Sequence, residues 1–217
     1  IEKNTLLIFT SDNGTDHRIH SLQNGLSIAG AKGKMTQDAT HVPFLIKWPA
    51  VVHNNTQING LIDFSDIFAT LMDVAGIDNS NQLEKNQRDG HSFLPLLTGA
   101  KQEIRDHSFC WYMERTDMTD IKSFIQNKDY KLHSDGRFID KSADRFERKP
   151  IDDSALLEEQ KKLKAKFEKQ MDYYLSLRPE RIPYNNSQAI QLPGVLEFDA
   201  YDLGMPNITY YDTSKGN

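Results

Sequence analysis

One short segment near the start of the chain constrains the fold more than any other. Residues 5–10 are a continuous apolar and β-branched run, and Ser11-Asp-Asn-Gly14 follows as a strong turn signal. A run that is apolar on both faces suits an interior strand of a parallel sheet with helices on either side. Residues 42–48 predict a second strand, which ends at Pro49. Together the two strands predict a protein of the α/β class.

The segments around these strands predict loops and one amphipathic helix. Residues 15–41 are polar and rich in glycine without a clear period, and we interpret them as a long loop of the kind that often carries function. Apolar residues recur at helical spacing between Gly60 and Gly76, and the second glycine suits the C-cap. Residues 78–88 predict an exposed loop and residues 91–97 a short helical segment.

The composition of the sequence and the length of its predicted elements change near Lys101, where short strand-like segments begin. Two tight-turn signals separate these pieces, Asn127-Lys-Asp129 and Ser134-Asp-Gly136. Short strands joined by tight turns predict a small antiparallel sheet.

A long charged helix is predicted after this sheet. Asp153 or Ser154 suits its N-cap, and the helix is expected to run to about Leu177, before a proline. Its apolar stripe is expected to be a packing face, and consists of Leu156, Leu163, Phe167, Met171 and Tyr174. The remaining tail is rich in proline, glycine and aromatic residues, and we interpret it as irregular chain lying over a surface.

Composition excludes several classes of function. The 217 residues carry a net charge of −5, which argues against nucleic acid as a partner because such proteins usually carry a basic excess. The single cysteine, Cys110, excludes an intrachain disulfide framework and a multi-cysteine zinc site. No apolar run reaches the length of a membrane span. The chain begins at Ile1 without Met or a signal peptide, so we expect it to be a piece of a longer protein.

Asp12 and Asn13, at the end of the first strand, are the first candidates for chemistry. A carboxylate and an amide carbonyl are hard oxygen donors that suit Ca²⁺ or Mg²⁺. In open parallel sheets, ligands bind beyond the carboxyl ends of the strands. The alternative is that Asp-Asn-Gly only makes the turn.

Lys32 is a candidate for binding an anion. It lies between Ala31 and Gly33, and glycine lets the backbone approach a ligand closely while the ammonium meets the anion. The alternative is a solvated lysine on the surface.

Three histidines lie in the same segment or beside it. His17, His20 and His41 could protonate a leaving oxygen or bind an anion, and the alternative for each is an exposed loop histidine. Cys110 lies in a strand pattern between two aromatic residues, and we interpret it as a buried apolar side chain rather than a nucleophile.

Several short motifs also follow one another in a fixed order. They are Phe9-Thr-Ser-Asp-Asn-Gly14, Ala31-Lys-Gly33, Thr40-His-Val-Pro43, Ile62-Asp-Phe-Ser-Asp-Ile-Phe-Ala-Thr-Leu71 and Asp89-Gly-His-Ser-Phe-Leu-Pro95. This order resembles the C-terminal half of a type I sulfatase, within the alkaline phosphatase superfamily. The resemblance covers about residues 5–150, and residues 129–138 resemble the small C-terminal sheet of the carbohydrate-sulfatase branch.

The resemblance implies an α/β fold in two parts. One is the C-terminal part of an alkaline-phosphatase-like mixed sheet sandwiched by helices, and the other is a small antiparallel sheet with a long helix. The domains would then be the C-terminal part of the catalytic α/β domain at residues 1–103, a small α+β subdomain at residues 104–178 and an irregular tail at residues 179–217.

The resemblance also assigns roles to the candidate residues. It implies that Asp12 and Asn13 are two ligands of a Ca²⁺ ion and that Lys32 contacts the sulfate and the leaving oxygen. His41 and His17 are assigned to the substrate pocket, although many sulfatases have arginine where this chain has His41. The residue types fit, because a divalent cation and an ammonium stabilise the charge that develops on the departing oxygen.

One family motif is absent from the chain. Sulfatases carry Cys/Ser-x-Pro-x-Arg, whose first residue becomes the nucleophile formylglycine, but Cys110 is followed by Trp-Tyr-Met-Glu and no serine begins the motif. The resemblance implies that the formylglycine, a further catalytic histidine and the paired aspartates of the metal site lie upstream. Ca²⁺ takes about 6–8 oxygen ligands, so the metal site is expected to be incomplete in this chain.

The resulting expectation is the C-terminal fragment of a sulfatase, a sulfuric ester hydrolase, that acts on a carbohydrate. The fragment alone would be inactive, and its partners would be a sulfated carbohydrate and the missing N-terminal half of the enzyme. Two alternatives stay open: a phosphate or phosphonate monoester hydrolase of the same superfamily, and a non-catalytic glycan-binding module. By the same resemblance we expect a periplasmic or secreted protein.

Overall fold

The computed structural model of the protein describes residues 1–52, 56–77, 90–113 and 121–177. The predicted loop at residues 78–88 and the tail at residues 179–217 lie outside the described residues. The helices are α1 (Gln37–Thr40), α2 (Ser65–Val74), α3 (Leu94–Leu97) and α4 (Glu158–Ser176). The strands are β1 (Leu7–Thr10), β2 (His20–Gln23), β3 (Leu26–Ala29), β4 (Phe44–Lys47), β5 (Ser108–Met113), β6 (Ile121–Gln126), β7 (Tyr130–His133) and β8 (Phe138–Asp140).

The first predicted strand is present, and its partner among the described residues is the second predicted strand. β1 and β4 are antiparallel, with Ile8 opposite Ile46, and no parallel partner of β1 lies among the described residues. A parallel neighbour on the other edge of β1 stays a prediction, because an apolar run shows that both faces need cover but not in which direction a neighbour runs. One face of the pair exposes large apolar side chains, Leu7 (58%), Phe9 (62%) and Leu45 (61%).

Residues 15–41 contain regular structure that the sequence analysis did not predict. β2 and β3 form an antiparallel hairpin whose turn residues, Asn24 and Gly25, have φ angles of 52° and 80°. A two-residue Asn-Gly turn with both φ angles positive is the favoured connection of a hairpin. The short helix α1 follows within the same segment. The prediction of one irregular loop is therefore wrong for these residues.

α2 confirms the predicted amphipathic helix but begins later than expected. The Asp63 carboxylate accepts a hydrogen bond of 3.0 Å from the backbone N–H of Ser65, so the helix begins at Ser65 rather than at Gly60. Gly60 instead allows close packing, because a Cβ there would lie 2.8 Å from Cδ1 of Leu96. Gly76 follows the helix with a φ of 65°, as expected for a C-terminal glycine.

α3 confirms the short helical segment and closes a small core. Phe93, Leu96 and Leu97 are buried there, and residues of β4 and α2 pack against them. The rings of Phe44 and Phe93 meet edge to face with their centroids 5.7 Å apart. This core holds β4 and residues 48–52 after it against α3.

β5 to β8 form the predicted antiparallel sheet, with each strand paired to its neighbour in sequence. α4 lies against β6 and β7. Its stripe residues Phe167 and Met171 are buried together with Leu156, Ile125 and Leu132. The stripe is therefore a packing face, as predicted.

The start of α4 differs from the prediction. Asp152, rather than Asp153 or Ser154, provides the capping carboxylate, which accepts a hydrogen bond of 2.9 Å from the Ser154 N–H ahead of a single 3-10 turn. Leu156 is then extended and enters the core, so the chain cannot continue directly into the α-helix. α4 therefore begins at Glu158. The predicted domain boundaries after residues 103 and 178 stay predictions.

In the four described ranges, no helix combines the length and the apolar character that a membrane crossing requires.

Candidate active site

Two chain segments meet at the carboxyl end of β1. The N–H of Gly14 donates to the carbonyl of Ala39 at 2.7 Å, and the N–H of Lys32 donates to the carbonyl of Thr15 at 3.0 Å. A Cβ on residue 14 would lie 2.2 Å from the carbonyl oxygen of Asp38, so only glycine permits this approach. These contacts hold the turn after β1 against the segment that contains α1.

A cavity of about 820 Å³ opens at this junction. Four of the five residues predicted for the site line it: Asp12, Asn13, Lys32 and His41. The fifth, His17, does not line it; its side chain is 70% exposed, and its Nδ1 lies 3.7 Å from the carboxylate of Asp16. The structure therefore brings four of the predicted residues together and leaves His17 outside the cavity.

Asp12 and Asn13 present the donor types of a calcium site. The hydroxyl of Ser11 donates to the carbonyl of Asn13 at 2.9 Å and so braces the turn. A carboxylate and an amide oxygen suit a hard cation, but Ca²⁺ takes about 6–8 oxygen ligands. Among the described residues, no group of three or more His, Cys, Asp and Glu side chains lies together as a metal site. The pair therefore fits part of a calcium shell, not a whole one.

Lys32 and His41 reach the cavity from either end of the segment around α1. Lys32 is exposed and follows Ala31, which is buried. The next residue, Gly33, has a φ of 82°, in the region that favours glycine. Nδ1 of His41 lies 3.3 Å from Nε2 of Gln37, one helical turn earlier, which orients the imidazole. An ammonium and an imidazole in one cavity suit the binding of an anion.

The small sheet supplies a second wall of the cavity that the sequence analysis did not predict. Its polar residues at the cavity include Ser108, Gln126, Lys128 and Lys141. In the sequence these residues stand in ordinary strand and turn patterns, where a polar side chain normally faces solvent. No local signal could therefore have assigned them to the site.

A buried ionic cluster lies behind the segment around α1. Oε1 of Glu147 accepts a hydrogen bond from Nζ of Lys131 at 2.6 Å, and Oε2 lies 3.0 Å from Nε2 of His133. Lys131 also donates to the carbonyl of Met35 at 3.1 Å, and Glu147 accepts from the N–H of Gln37 at 2.8 Å. The cluster therefore ties β7 to the residues that lead into α1.

The opposite charges of Glu147 and Lys131 offset part of the cost of burying them. Burial alone would raise the pKa of Glu147, but the hydrogen bond with His133 and the charge of Lys131 outweigh it and hold that pKa below its usual value. Burial lowers the pKa of Lys131, and Glu147 offsets part of that effect. The ammonium also lies 4.2 Å from the centroid of the Phe124 ring, a favourable cation–π contact.

Comparison with known proteins identifies the class and then the family. The mixed α/β fold is that of sulfatases, which have the alkaline-phosphatase-like fold predicted from the sequence. The chain belongs to the family described as N-sulphoglucosamine sulphohydrolase, C-terminal, which matches residues 31–173. The matched region includes Lys32, His41 and the whole small sheet.

The relatives that match the chain include carbohydrate sulfatases. An ulvan-active sulfatase of Formosa agariphila is 30% identical over 134 residues, which are 59% of this chain and 22% of the relative. An N-acetylglucosamine-6-sulfatase of Homo sapiens is 37% identical over 97 residues, which are 45% of this chain and 16% of the relative. The chain therefore spans only a minor part of the length of these proteins.

Among solved structures, BT4656 in complex with its substrate D-glucosamine-2-N,6-O-disulfate resembles the chain with a TM-score of 0.62. The identity is 21%, and the match covers 82% of this chain and 36% of that chain. At this identity the likeness supports the fold and not a shared substrate.

Proposed function

We propose that this chain is the C-terminal part of a sulfatase that hydrolyses sulfate esters of a carbohydrate. The observation that carries the proposal is the convergence of four predicted site residues on one cavity, Asp12, Asn13, Lys32 and His41. The relatives support the class of substrate, because one is ulvan-active and another acts on N-acetylglucosamine carrying a 6-sulfate, as its name states. Fold alone would not support it, since one fold hosts many activities.

In this proposal the residues of the chain bind the substrate and stabilise charge. The ammonium of Lys32 contacts the sulfate oxygens and offsets the negative charge that develops on the leaving oxygen. His41, oriented by Gln37, contacts the sulfate or a neighbouring sugar hydroxyl. A Ca²⁺ ion held in part by Asp12 and Asn13 supplies further charge stabilisation when bound.

The nucleophile of the proposed reaction is a formylglycine outside this chain, because the sequence contains no Cys/Ser-x-Pro-x-Arg motif. The exposed apolar face of Leu7, Phe9 and Leu45 supports a further body of protein that packs on β1 and β4. In this proposal that body is the N-terminal half of the enzyme, and the chain alone is inactive. We also expect the enzyme in the periplasm or outside the cell, which fractionation of the source cells would test.

The experiment measures sulfate release from an aryl sulfate and from a monosulfated N-acetylglucosamine. It compares the complete polypeptide encoded by the gene, expressed with a formylglycine-generating enzyme, with the 217-residue chain. We expect turnover only by the complete polypeptide. Lys32→Ala should lower its kcat/KM by about 100-fold or more, as removal of a charge-stabilising donor does elsewhere. The control Lys161→Ala, on the exposed side of α4, should leave turnover unchanged.

Three results would contradict the proposal. Turnover by the chain alone would refute the assignment of the nucleophile to another part of the enzyme. Faster hydrolysis of a phosphate monoester than of the sulfate ester would favour the phosphatase alternative. Sugar binding by the complete polypeptide without release of sulfate would favour a non-catalytic glycan-binding module.

A further inference from the structure

Lys141 is a partly buried cation at the wall that the small sheet contributes to the cavity. Its Nζ donates to the carbonyl of Asn127 at 2.5 Å and to Oε1 of Gln126 at 3.3 Å. Both acceptors are neutral oxygens, and no carboxylate in the described part of the chain forms an ion pair with this ammonium. The ammonium of Lys141 therefore lines the cavity with two neutral hydrogen-bond acceptors and no carboxylate in direct contact among the described residues.

The neighbouring lysines differ from Lys141 in this respect. Lys131 is fully buried and is paired with Glu147 at 2.6 Å. Lys128, which also lines the cavity, is paired with Glu103 at 2.6 Å. Each of these two ammonium groups has its counter-charge within the fold, so neither needs an external anion.

The surroundings of Lys141 make its charge costly without an added anion. Burial lowers the pKa of Lys141 to about 8, and the charge of Lys131 acts in the same direction. Glu147 and Asp129 offset part of this effect. An anion bound beside the ammonium would favour the charged form of Lys141. It would replace part of the stabilisation that water gives to an exposed ammonium.

We propose that Lys141, together with Gln126, forms a second anion-binding position in the cavity, for a carboxylate or a further sulfate on the sugar. Nε2 of Gln126 makes only a long contact of 3.4 Å with Oγ of Ser108, so this donor can turn to an oxyanion at little cost. In this proposal the position is separate from the one at Lys32, which is not among the charges that act on Lys141; those charges are Lys131, Glu147 and Asp129. The inference rests on the proposed function and narrows its substrate to a sugar that carries two negative groups.

The size of the cavity accommodates such a ligand. Its volume of about 820 Å³ lies within the range of about 300–1,000 Å³ that is usual for ligand sites. Its lining includes Lys32 from the segment before α1 and Lys141 from the small sheet, so a ligand in contact with both walls would meet two cations. A ligand with one anion would engage only one of these cations.

The test compares the affinity of the complete polypeptide for three sugars by calorimetry. The polypeptide is expressed without a formylglycine-generating enzyme so that the sugars are not turned over. The sugars are a glucosamine with one sulfate, a glucosamine with two sulfates, and a monosulfated disaccharide that also carries a uronic-acid carboxylate. The variants are Lys141→Gln, Lys141→Arg and the exposed control Lys161→Gln, which removes the same charge from α4. Urea unfolding of each variant verifies that the fold is retained.

We expect the wild-type polypeptide to prefer a sugar with two anions. Lys141→Gln should lose about tenfold in affinity for that sugar, while its affinity for the monosulfated sugar is unchanged. Lys141→Arg and Lys161→Gln should keep the preference. Comparison of the disulfated glucosamine with the disaccharide that carries a carboxylate shows which second anion binds at Lys141.

The pH dependence adds a second readout. Because the pKa of Lys141 is about 8, its charge and the preference should fall as the pH is raised through that value. The groups that face it, Lys131, Glu147 and Asp129, are the same in Lys141→Arg, whose guanidinium stays charged, so this variant should keep the preference at high pH.

Equal preference in the wild type and in Lys141→Gln, or no binding of any of the three sugars, would overturn the second position. A different result would refute the proposed sulfatase activity while leaving the second position in place. A chain that selects sugars with two anions through Lys141, in a complete polypeptide that releases no sulfate, would retain the binding position and refute the sulfatase.

Discussion

The backbone N–H of Gln37 donates a hydrogen bond of 2.8 Å to Oε1 of Glu147, across 110 residues of chain. Gln37 is the first residue of α1, and Glu147 lies after the last strand of the small sheet, so the bond fastens that sheet to the segment that reaches the cavity. Glu147 has a positive φ of 55°. Such a conformation costs about 1–3 kcal/mol in a residue other than glycine, and the contacts of the carboxylate offset it.

Glu147→Gln should destabilise the chain strongly. The substitution keeps the size of the side chain but leaves the ammonium of Lys131 buried without its counter-charge, which costs about 3–5 kcal/mol in comparable pairs. Urea unfolding measures the loss, and amide hydrogen exchange at Gln37 should accelerate more than exchange in α4. The matched control is Glu158→Gln, whose partner Lys161 is exposed, and its unfolding free energy should match the wild type. Equal stability of the two variants would contradict the role of the cluster.

The contribution of Glu147 should also depend on pH in one direction. Its pKa in the folded chain lies below the usual value of 4.5, so the stabilisation is complete above that pH and is lost as the pH falls through the folded-state pKa. The difference in unfolding free energy between the wild type and Glu147→Gln should therefore shrink as the pH falls below 4.5. Urea titrations at several pH values measure it, and a difference that stays constant would show that another group carries the effect.

The parts of the fold that the sequence predicted are those with local signals. The turns at residues 127–129 and 134–136 marked the small sheet, and the spacing of Phe167 and Met171 marked the buried face of α4. The Asn24-Gly25 turn is also a local signal, and its residue types are sufficient to predict the hairpin of β2 and β3. Each of these features depends on residues within a few positions of one another.

The candidate site was predictable only in part for the same reason. Asp12 and Lys32 stood in recognisable motifs, and the structure brings both to the cavity. His17 shares the segment with Lys32, but sequence proximity did not bring it to the cavity, because the chain turns into the hairpin after it. The contributions of Lys141 and Glu147 arise from contacts between distant segments, which neither periodicity nor spacing encodes.

Asp66→Asn should separate α2 from the segment that leads into α3. The buried Asp66 carboxylate accepts backbone hydrogen bonds from Asp63 and His91, both at 2.7 Å, and it pairs with Arg105. An amide nitrogen in place of one oxygen would face a donor, so we expect a loss of about 3 kcal/mol or more in unfolding free energy. Asp73→Asn, on the exposed side of the same helix, is the control and should be neutral. Protection of the His91 amide that survives in Asp66→Asn would argue against this role.

Cys110 should be a poor nucleophile although it lines the cavity. Burial, with a contribution from the charge of Asp63, raises the pKa of its thiol from 9.0 to about 11, and Lys131 offsets only part of this. A shift of that size lowers the thiolate fraction at pH 8 by about 100-fold. Alkylation by iodoacetamide should therefore be about 100-fold slower in the folded chain than in the same chain in urea.

The pH dependence of this alkylation separates a raised pKa from simple shielding. A thiol with a raised pKa reaches half of its maximal rate only near pH 11, whereas a shielded thiol of ordinary pKa reaches half of its lower maximal rate near pH 9. Urea-unfolded chain at the same pH values provides the reference curve. Equal rates in the folded and unfolded chain would show that Cys110 is a reactive thiol. The sequence interpretation of this residue as a buried apolar side chain would then be wrong, and the assignment of the nucleophile to a residue outside the chain would lose one of its supports.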